Sequence, residues 1–200
     1  MTGPLVSVIT PTWQRHDLLL SRCIPSVAAQ DYPHVEHVVV SDGPDDELEQ
    51  ILYADHPDVV FRQLATHDPQ FRWGHRARLH GIEAASGDVI AWLDDDNSYR
   101  PQHLSRLVPM LETADFAYSV VLFHNHGGSY PVGVDPPMYC NIDTSALVHR
   151  RDLLDRATWR DEGQPSNDWD LVERWIGAGA TWGFDPLPTA DYYFRDVPDA

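Results

Sequence analysis

The feature that most constrains the fold of this chain is the alternation of short apolar runs with segments of helical spacing. Apolar runs of strand length occupy residues 5–10, 34–43, 58–64 and 88–94. Segments whose apolar residues recur at helical spacing follow them at residues 15–30, 45–54, 75–86 and 100–112. Strands that are apolar on both faces and alternate with helices predict an α/β fold, in which helices cover a mainly parallel central sheet in a single compact domain.

The second half of the chain is less regular. We predict strands at residues 116–123 and 142–150 and an amphipathic helix at residues 168–179. The segment 124–139 is rich in glycine and proline and predicts a long loop. The tail from residue 185 predicts irregular structure, because proline and aspartate recur along it.

Three polar clusters directly follow predicted strands. They are Pro11-Thr12, Ser41-Asp42-Gly43 and Asp94-Asp95-Asp96. In open α/β sheets, ligands bind beyond the carboxyl ends of the strands. We therefore expect the three clusters to share one edge of the sheet.

The cluster of three aspartates indicates a cation site or a solvated turn. In an extended chain Asp94 and Asp96 face one way and Asp95 the other, so two carboxylates could hold Mg²⁺ or Mn²⁺. A turn that precedes the next helix would use the same residues. A helix–loop–helix calcium loop is excluded, because it needs glycine where Tyr99 stands and glutamate where Ser105 stands.

Composition removes several classes of function. The formal net charge is −17, and all 14 basic residues are arginine. Such an acidic chain is a poor partner for nucleic acid or an anionic membrane surface, and without lysine it has neither a P-loop nor a Schiff-base lysine. The G-x-G-x-x-G, H-E-x-x-H and G-x-S-x-G motifs are missing. Cys23 and Cys140 are too few for a disulfide framework or a zinc knuckle.

Targeting signals are equally sparse. No apolar run approaches the ~20 residues that a membrane helix needs. The first residues, MTGPLVSVIT, place no basic stretch before their apolar residues, which is unlike a signal peptide. We therefore predict a cytoplasmic protein without an integral membrane segment.

Four separated motifs carry a resemblance to a known family. They are VSVITPTWQR near the N-terminus, VVVSDG about thirty residues later, RWGHRARLHGIEAASGDVIAWLDDD before residue 97, and PSNDWDLVERW at residues 165–175. In this order and spacing they resemble the inverting glycosyltransferases of family two, which have the GT-A fold. The resemblance covers about residues 5–178. It implies one GT-A domain over residues 1–200, with a nucleotide-binding half at 1–99 and an acceptor-binding half and tail at 100–200.

The resemblance also implies roles on the donor side. Nucleotide-binding roles fall on Pro11, Thr12, Arg15, Asp42, Arg78 and Asp95. Asp94 and Asp96 would hold a divalent cation, Mn²⁺ or Mg²⁺, that bridges the two phosphates of the donor. Arg72 and Arg76 are further candidates for neutralising the diphosphate, although an arginine-rich helix start is often only a solvated surface. Asp42 could alternatively be a simple turn residue before Gly43.

The same resemblance makes Asp168 the general base that takes the proton of the acceptor hydroxyl. Here the chain departs from the family, since Asn167 stands where glutamate is common. Asp170 is the reserve candidate. Asn167 or Asp168 could also simply cap the following helix, and capping does not conflict with a catalytic role.

Several histidines and aromatic residues remain open. His124, His126 and His149 could complete a metal shell, but their spacing fits poorly and we expect them to be exposed loop residues. The aromatic residues Trp73, Tyr130, Tyr139 and Trp169 could stack on sugars or pack the core. The segment 124–139 is a candidate lid on the acceptor side.

We therefore predict a metal-dependent inverting glycosyltransferase that moves a sugar from a nucleotide diphosphate donor, with UDP favoured, to a hydroxyl acceptor. Two alternatives stay open. One is a catalytically silent module that binds sugar nucleotides, which Asn167 would suit. The other is a sugar nucleotidyltransferase, which the glycine-free TPTWQR segment disfavours because such enzymes use a glycine-rich loop there.

Overall fold

A computed structural model describes residues 3–67, 74–160 and 168–194 of the chain. Its strands are β1 (Val6–Thr12), β2 (Val35–Ser41), β3 (Val59–Gln63), β4 (Val89–Trp92), β5 (Ser98–Tyr99), β6 (Phe116–Asn125), β7 (Gly128–Val132), β8 (Leu147–Arg150) and β9 (Trp182–Tyr193). Its α-helices are α1 (His16–Leu18), α2 (Ile24–Ala28), α3 (Asp46–Asp55), α4 (His75–Ala84), α5 (His103–Leu107) and α6 (Asp168–Gly177). A π-helical turn (Leu19–Cys23) joins α1 to α2, and 3₁₀ turns occupy Val108–Glu112, Thr144–Ala146 and Arg151–Asp155.

All these strands belong to one sheet in the order β3-β2-β1-β4-β8-β6-β9-β5, with β7 paired to β6. The four strands from β1 to β4 are mutually parallel where they pair. Beyond β4 the sheet is mixed, because β8 is antiparallel to both β4 and β6 while β9 runs parallel to β6. The predicted α/β fold is confirmed, and its parallel character is concentrated in the first half.

Two apolar layers cover the two faces of this sheet. Alternation along β1 sends Val6 and Val8 into one layer and Ile9 into the other. The first layer packs under α2, α3 and α5, with Leu48 and Leu104 fully buried. The second packs under α4 and α6 and includes the largest buried ring systems of the chain, such as Trp92, Trp175, Phe116 and Tyr118. Burial on both faces explains why the strands read as continuous apolar runs.

The helix predicted at residues 15–30 is present but not uniform. A π-helical turn precedes Pro25, which lies in the first turn of α2. Proline has no N–H to donate to the helical ladder, so a register change at this point leaves no bond broken within the helix. Arg22 lies within this turn.

The prediction of an irregular tail is wrong up to Tyr193, because residues 182–193 form β9, the longest strand of the described chain. Pro186 and Pro188 misled the prediction. They fall where the register between β6 and β9 shifts on either side of Val120, so the prolines occupy a bulge and need not donate to the ladder. Two salt bridges anchor the strand: Arg106 contacts Asp185, and Arg100 contacts Asp191 at 2.9 Å.

The loop predicted at residues 124–139 is interrupted by β7, which forms a hairpin with β6. His126 and Gly127 form the turn, and Gly128, the first residue of β7, has a φ of +122° that favours glycine. The predicted strand at 142–150 shortens to β8, because Asp143 caps a 3₁₀ turn first. Within the described ranges, no helix is long and apolar enough to cross a membrane.

Gly81 sets how closely α4 lies on the sheet. A Cβ at this position would lie 2.3 Å from the Cγ2 of Ile9, which is fully buried in β1. The lack of a side chain therefore lets α4 approach the centre of the sheet. This approach matters for function because α4 also carries Arg78.

We expect Gly81→Ala to lower the free energy of unfolding by about 1–3 kcal/mol, since the added methyl group must displace Ile9 or the helix. Urea unfolding followed by circular dichroism would measure this. Gly177→Ala is the matched control, because a Cβ there meets nothing within 4 Å. Equal stability of the two variants would contradict this packing argument.

Candidate active site

The three polar clusters that follow β1, β2 and β4 meet at one edge of the sheet, as the sequence predicts. The backbone N–H of Asp42 donates to the carbonyl of Thr12 at 2.9 Å. The Thr12 hydroxyl donates to Asp95 Oδ2 at 2.7 Å. Pro11 lies beside Gly74, where a Cβ would come within 2.9 Å of the proline ring. The ends of three strands and the start of α4 therefore share one surface.

Asp95 is the buried member of the aspartate cluster, only 2% exposed. It accepts the hydrogen bond from Thr12, and Arg15 Nη1 lies 3.3 Å from its other oxygen. Burial raises the pKa of Asp95 to about 7, against the opposing effect of Arg15 and with a further rise from Asp96. Its contacts fix the turn to β1, which makes Asp95 a structural anchor of the cluster.

Asp94 and Asp96 instead reach the surface, with side chains 30% and 29% exposed. Arg78 binds Asp94 and Arg15 binds Asp96, so each carboxylate is paired with a guanidinium from a different segment. The expected strand does not extend through the aspartates: the N–H of Asn97 donates to the Asp94 carbonyl at 3.1 Å, so they form a turn in which Asp95 is the buried member. Two partly exposed carboxylates in one turn can offer oxygen ligands to a hard cation.

Arg78 occupies a largely buried position between several of these groups. Its guanidinium lies 4.8 Å from the centre of the Trp159 ring while it contacts Asp94. Its backbone N–H donates to Gly74, whose φ of +67° requires the left-handed region and starts α4 at the end of β1. The glycine therefore places an arginine on the acidic side of the site.

Asp168 begins α6, and its Oδ1 accepts a hydrogen bond from the N–H of Trp169 at 2.8 Å. Burial raises the pKa of this carboxyl; hydrogen bonding to Trp169 and the charge of Arg78 oppose the shift, and Asp94 adds to it. These electrostatic interactions place Asp168 near both Asp94 and Arg78. A carboxyl group with a raised pKa holds a proton more readily than an exposed aspartate does.

Asp143 is a site residue that the sequence did not indicate. Its Oδ1 accepts from the N–H of Ser145 at 2.8 Å, as the cap of a 3₁₀ turn. Burial raises the pKa of Asp143, and the charges of Asp168 and Asp94 raise it further. The NIDTS segment suggests a turn at most, and only the fold brings this carboxylate to Asp168.

The edge therefore concentrates carboxylates with too few cations to neutralise them. Repulsion among Asp94, Asp96, Asp143 and Asp168 is opposed mainly by Arg15 and Arg78 in the described residues. Mg²⁺ and Mn²⁺ commonly bind one or two protein carboxylates and complete their shell with water and phosphate. No group of three or more His, Cys, Asp or Glu side chains in residues 3–67, 74–160 and 168–194 forms a metal site by itself. Asp94 and Asp96 could therefore hold a cation only together with oxygen atoms of water or of a bound ligand.

Asp42 closes the other end of the edge together with two residues that the sequence did not indicate. His67 Nδ1–H donates to the Asp42 carbonyl at 2.8 Å, and the same nitrogen lies 3.3 Å from Asp42 Oδ2. The His67 ring stacks on Trp13 with centroids 4.3 Å apart. Gly43 has a φ of +146°, and a Cβ there would lie 2.5 Å from the Trp13 ring. A stacked pair of aromatic rings therefore lies beside a buried carboxylate.

Arg22, on the π-helical turn, is a further residue that the sequence did not indicate. Its Nη1 donates to the carbonyl of Asp96 at 2.6 Å, and its guanidinium stacks 3.8 Å above the Tyr193 ring. It ties the aspartate turn to the end of β9.

The expectation that the three histidines are exposed is wrong for two of them. His124 lies in β6, buried, where Nε2–H donates to Asp191 at 2.8 Å and Nδ1 lies 2.7 Å from the Ser129 hydroxyl. His149 lies in β8, fully buried between Trp92 and Trp175. Strand pairing buries both. His126 is exposed in the β6–β7 turn.

The remaining predicted residues lie in different environments. Arg72, Trp73 and Asn167 lie outside the described residues. Trp169 packs against the second core layer, and Asp170 contacts Arg160 and Arg174. Tyr130 and Tyr139 are exposed. Arg76 is partly buried on α4.

Comparison with known proteins agrees with this geometry. Residues 7–153 match the model of glycosyl transferase family 2. The chain is 27% identical to the uncharacterized glycosyltransferase YwdF of Bacillus subtilis (strain 168), over 98% of this chain and 72% of that protein. It is 33% identical to the glucosyl-dolichyl phosphate glucuronosyltransferase of Haloferax volcanii, over 58% of this chain and 36% of that protein.

Solved structures show the same fold at lower identity. S. aureus TarS 1–349 in complex with UDP-GlcNAc has a TM-score of 0.77 and 19% identity, over 97% of this chain and 60% of that chain. The mannosyltransferase PcManGT from Pyrobaculum calidifontis, in complex with GDP-Man and Mn²⁺, has a TM-score of 0.71 and 18% identity, over 99% and 58%. The chain thus spans about three fifths of these structures.

The GT-A fold implied by the sequence resemblance is confirmed by these structural neighbours. The family model covers well over half of the chain, from the start of β1 into the 3₁₀ turn after β8. The chain belongs to glycosyl transferase family 2.

Proposed function

We propose that this chain is a metal-dependent inverting glycosyltransferase that moves a sugar from a UDP-sugar to a hydroxyl acceptor. The observation that carries the proposal is that two partly exposed carboxylates, Asp94 and Asp96, lie at one edge of the sheet with the buried Asp42. At the start of α6, the carboxyl group of Asp168 has a raised pKa, to which the charge of Asp94 contributes. Asp94 and Asp96 suit the phosphates of the donor, Asp42 suits its nucleoside, and Asp168 suits the acceptor hydroxyl. A cytoplasmic location stays a prediction.

The donor would lie along the edge formed by β1, β2 and β4. Pro11 and Thr12 would line the nucleotide pocket, and Asp42 can accept from a base N–H or a ribose hydroxyl. The complexes of TarS with UDP and UDP-GlcNAc support a uridine donor. The GDP-Man complex of PcManGT makes guanosine the alternative to test.

Asp94 and Asp96 would hold Mn²⁺ or Mg²⁺, and the cation would act as a Lewis acid that neutralises charge on the departing diphosphate. Asp95, held by Thr12, keeps the turn that presents them in place. Arg15 and Arg78 already neutralise these carboxylates in the free protein. When the donor binds, both guanidinium groups can turn from the carboxylates to the phosphates, which suits their planar donor geometry.

Asp168 would accept the proton of the acceptor hydroxyl as that oxygen bonds to the anomeric carbon. The bond from this carbon to the diphosphate oxygen breaks on the opposite face, which inverts the configuration. The raised pKa makes Asp168 a better proton acceptor than an exposed carboxylate. The charge of Asp168 in turn helps raise the pKa of the buried Asp143.

Release of UDP from a panel of UDP-sugars in Mn²⁺ tests the proposal as a whole. A catalytically silent module that binds sugar nucleotides would bind UDP. It would release no UDP from the UDP-sugars, whichever acceptor is added. A nucleotidyltransferase would instead form pyrophosphate from a nucleoside triphosphate and a sugar phosphate. Either result would replace the proposed activity.

We expect Asp96→Ala to weaken UDP binding in Mn²⁺ by at least about tenfold, since one of two carboxylate ligands is lost. Isothermal titration calorimetry with and without Mn²⁺ would measure this. The control is Asp58→Ala, which removes an exposed carboxylate before β3. Unchanged UDP affinity in Mn²⁺ would remove Asp96 from the metal site.

We expect Asp168→Asn to keep donor affinity within about twofold and to lower the transfer rate by about 10²–10⁴-fold, as the loss of a general base does. Single-turnover transfer and UDP titration separate the two quantities. Asp170→Asn is the control on the same helix. A loss of transfer in Asp170→Asn but not in Asp168→Asn would assign the role of general base to Asp170.

We expect Arg78→Gln to lower the free energy of unfolding by about 1–3 kcal/mol without metal, because Asp94 loses its charged partner. Mn²⁺ should stabilise this variant more than the wild type, since it supplies the missing positive charge. Thermal unfolding over a Mn²⁺ series would measure both effects. Arg62→Gln, at an exposed arginine whose Nη1 donates to the carbonyl of the preceding residue, Phe61, should change neither.

A further inference from the structure

Four aromatic rings form a continuous surface where β6, β7 and β9 end. Phe123 is the central ring, and its centroid lies 5.1 Å from Tyr130, 4.9 Å from Tyr192 and 5.8 Å from Phe194. Phe123 and Tyr192 are stacked with 9° between their planes. We call Phe123, Tyr130, Tyr192 and Phe194 the aromatic platform.

Strand register creates this surface. Phe123 pairs with Tyr130 on one side and with Tyr192 on the other, so the three side chains leave the sheet on the same face. Phe194 follows Tyr192 by two residues, and its N–H continues the ladder by donating to His124 at 2.9 Å. Polar partners occupy the alternate positions, where His124 stacks on Tyr193.

The platform is only half covered by the described chain. Tyr130 is 47% exposed and Phe194 is 43% exposed, whereas Tyr192 packs against the first core layer. Large aromatic side chains that are exposed next to one another mark a binding surface more often than isolated ones do. The outer rings are therefore available to a ligand while the inner ones hold them in place.

The platform borders the acidic edge of the proposed active site. The N–H of Tyr193 donates to Asn97 Oδ1 at 3.0 Å, and Asn97 directly follows the aspartate cluster. The Tyr192 phenol also lies within the electrostatic reach of four aspartates: besides burial, the charges of Asp143, Asp94, Asp96 and Asp168 raise its pKa to about 12. β9 also packs against the 3₁₀ turn Thr144–Ala146, which Asp143 caps. An acceptor seated on the platform would therefore lie on the side of the acidic edge that carries Asp143.

The chemistry around the platform selects among ligands. A pyranose ring offers a flat C–H face to an aromatic ring and hydroxyl groups to carboxylates, and ligand sites combine apolar walls with a few polar groups in this way. An alkyl chain would bury the neighbouring carboxylates without a hydrogen-bond partner, at a cost. An anionic membrane or nucleic acid would be repelled by a chain of net charge −17.

We infer that the aromatic platform binds the apolar face of a neutral sugar ring, so that the acceptor of this chain is a carbohydrate. The identification of the bound sugar as the acceptor rests on the proposed function. The binding of the sugar itself does not require a donor. Tyr130 and Phe194 supply the stacking surface, and the carboxylates beside Tyr192 accept hydrogen bonds from the sugar hydroxyls.

Saturation-transfer NMR with cellobiose, maltose, mannobiose and N,N′-diacetylchitobiose tests the inference on the full chain without nucleotide. We expect at least one disaccharide to bind the wild type and to lose about tenfold in affinity in Tyr130→Ala and in Phe194→Ala, as the loss of a stacking anchor does. Tyr130→Phe keeps the ring and should keep the affinity. Tyr53→Ala removes a tyrosine that is 86% exposed on α3 and should change nothing.

The same variants are titrated with UDP in Mn²⁺, where their affinity should match the wild type within about twofold. Sugar binding that depends on the platform without Mn²⁺-dependent UDP binding would support the platform and refute the proposed function. Mn²⁺-dependent UDP binding with no disaccharide bound would refute the platform alone. Equal sugar affinity in Tyr130→Ala and the wild type would also overturn it, as would binding of dodecyl maltoside through its alkyl chain only.

Discussion

Repulsion among carboxylates at one edge of the sheet is the constraint on which the rest of the site depends. Asp94, Asp95 and Asp96 follow a fully buried strand, and the fold adds Asp143 and Asp168 to them. Such a group of like charges is stable only with positive charge beside it. Arg15 and Arg78 supply it, and they come from the segments before α1 and within α4, so the same pairs fix these helices to the end of β4.

The three consecutive aspartates have different environments and therefore different roles. Asp95 is buried against Thr12, and its burial costs less because a hydroxyl and a guanidinium satisfy its oxygens. Asp94 and Asp96 keep part of their surface in water, and each is paired with an arginine from another segment of the chain. A buried central residue thus stands between two that remain partly exposed.

The second half of the sheet completes the site from the opposite side. β9 runs parallel to β6, and its end meets the aspartate turn through Asn97 and through Arg22 stacked on Tyr193. Paired ions at Asp185 and Asp191 hold the strand, and the alternation of its last residues separates the polar contacts of Tyr193 from the aromatic platform. One strand therefore supports the donor side and forms the surface proposed for the acceptor.

The sequence by itself determined the first half of this protein. Buried parallel strands are apolar on both faces, so β1 to β4 and their helices could be predicted from local patterns, and their polar ends fell together at one edge because parallel strands share direction. Only the tertiary structure decided the rest. The prolines of β9 led to the prediction of a loop, because the bulge that accommodates them arises from pairing with β6. Pairing with a distant strand leaves no local pattern in the sequence. Asp143, Arg22, His67 and the aromatic platform reach the site through contacts between residues far apart in the chain, and buried His124 and His149 owe their positions to strand pairing. Local patterns record how a residue relates to its neighbours in the chain, whereas these positions depend on packing between distant segments.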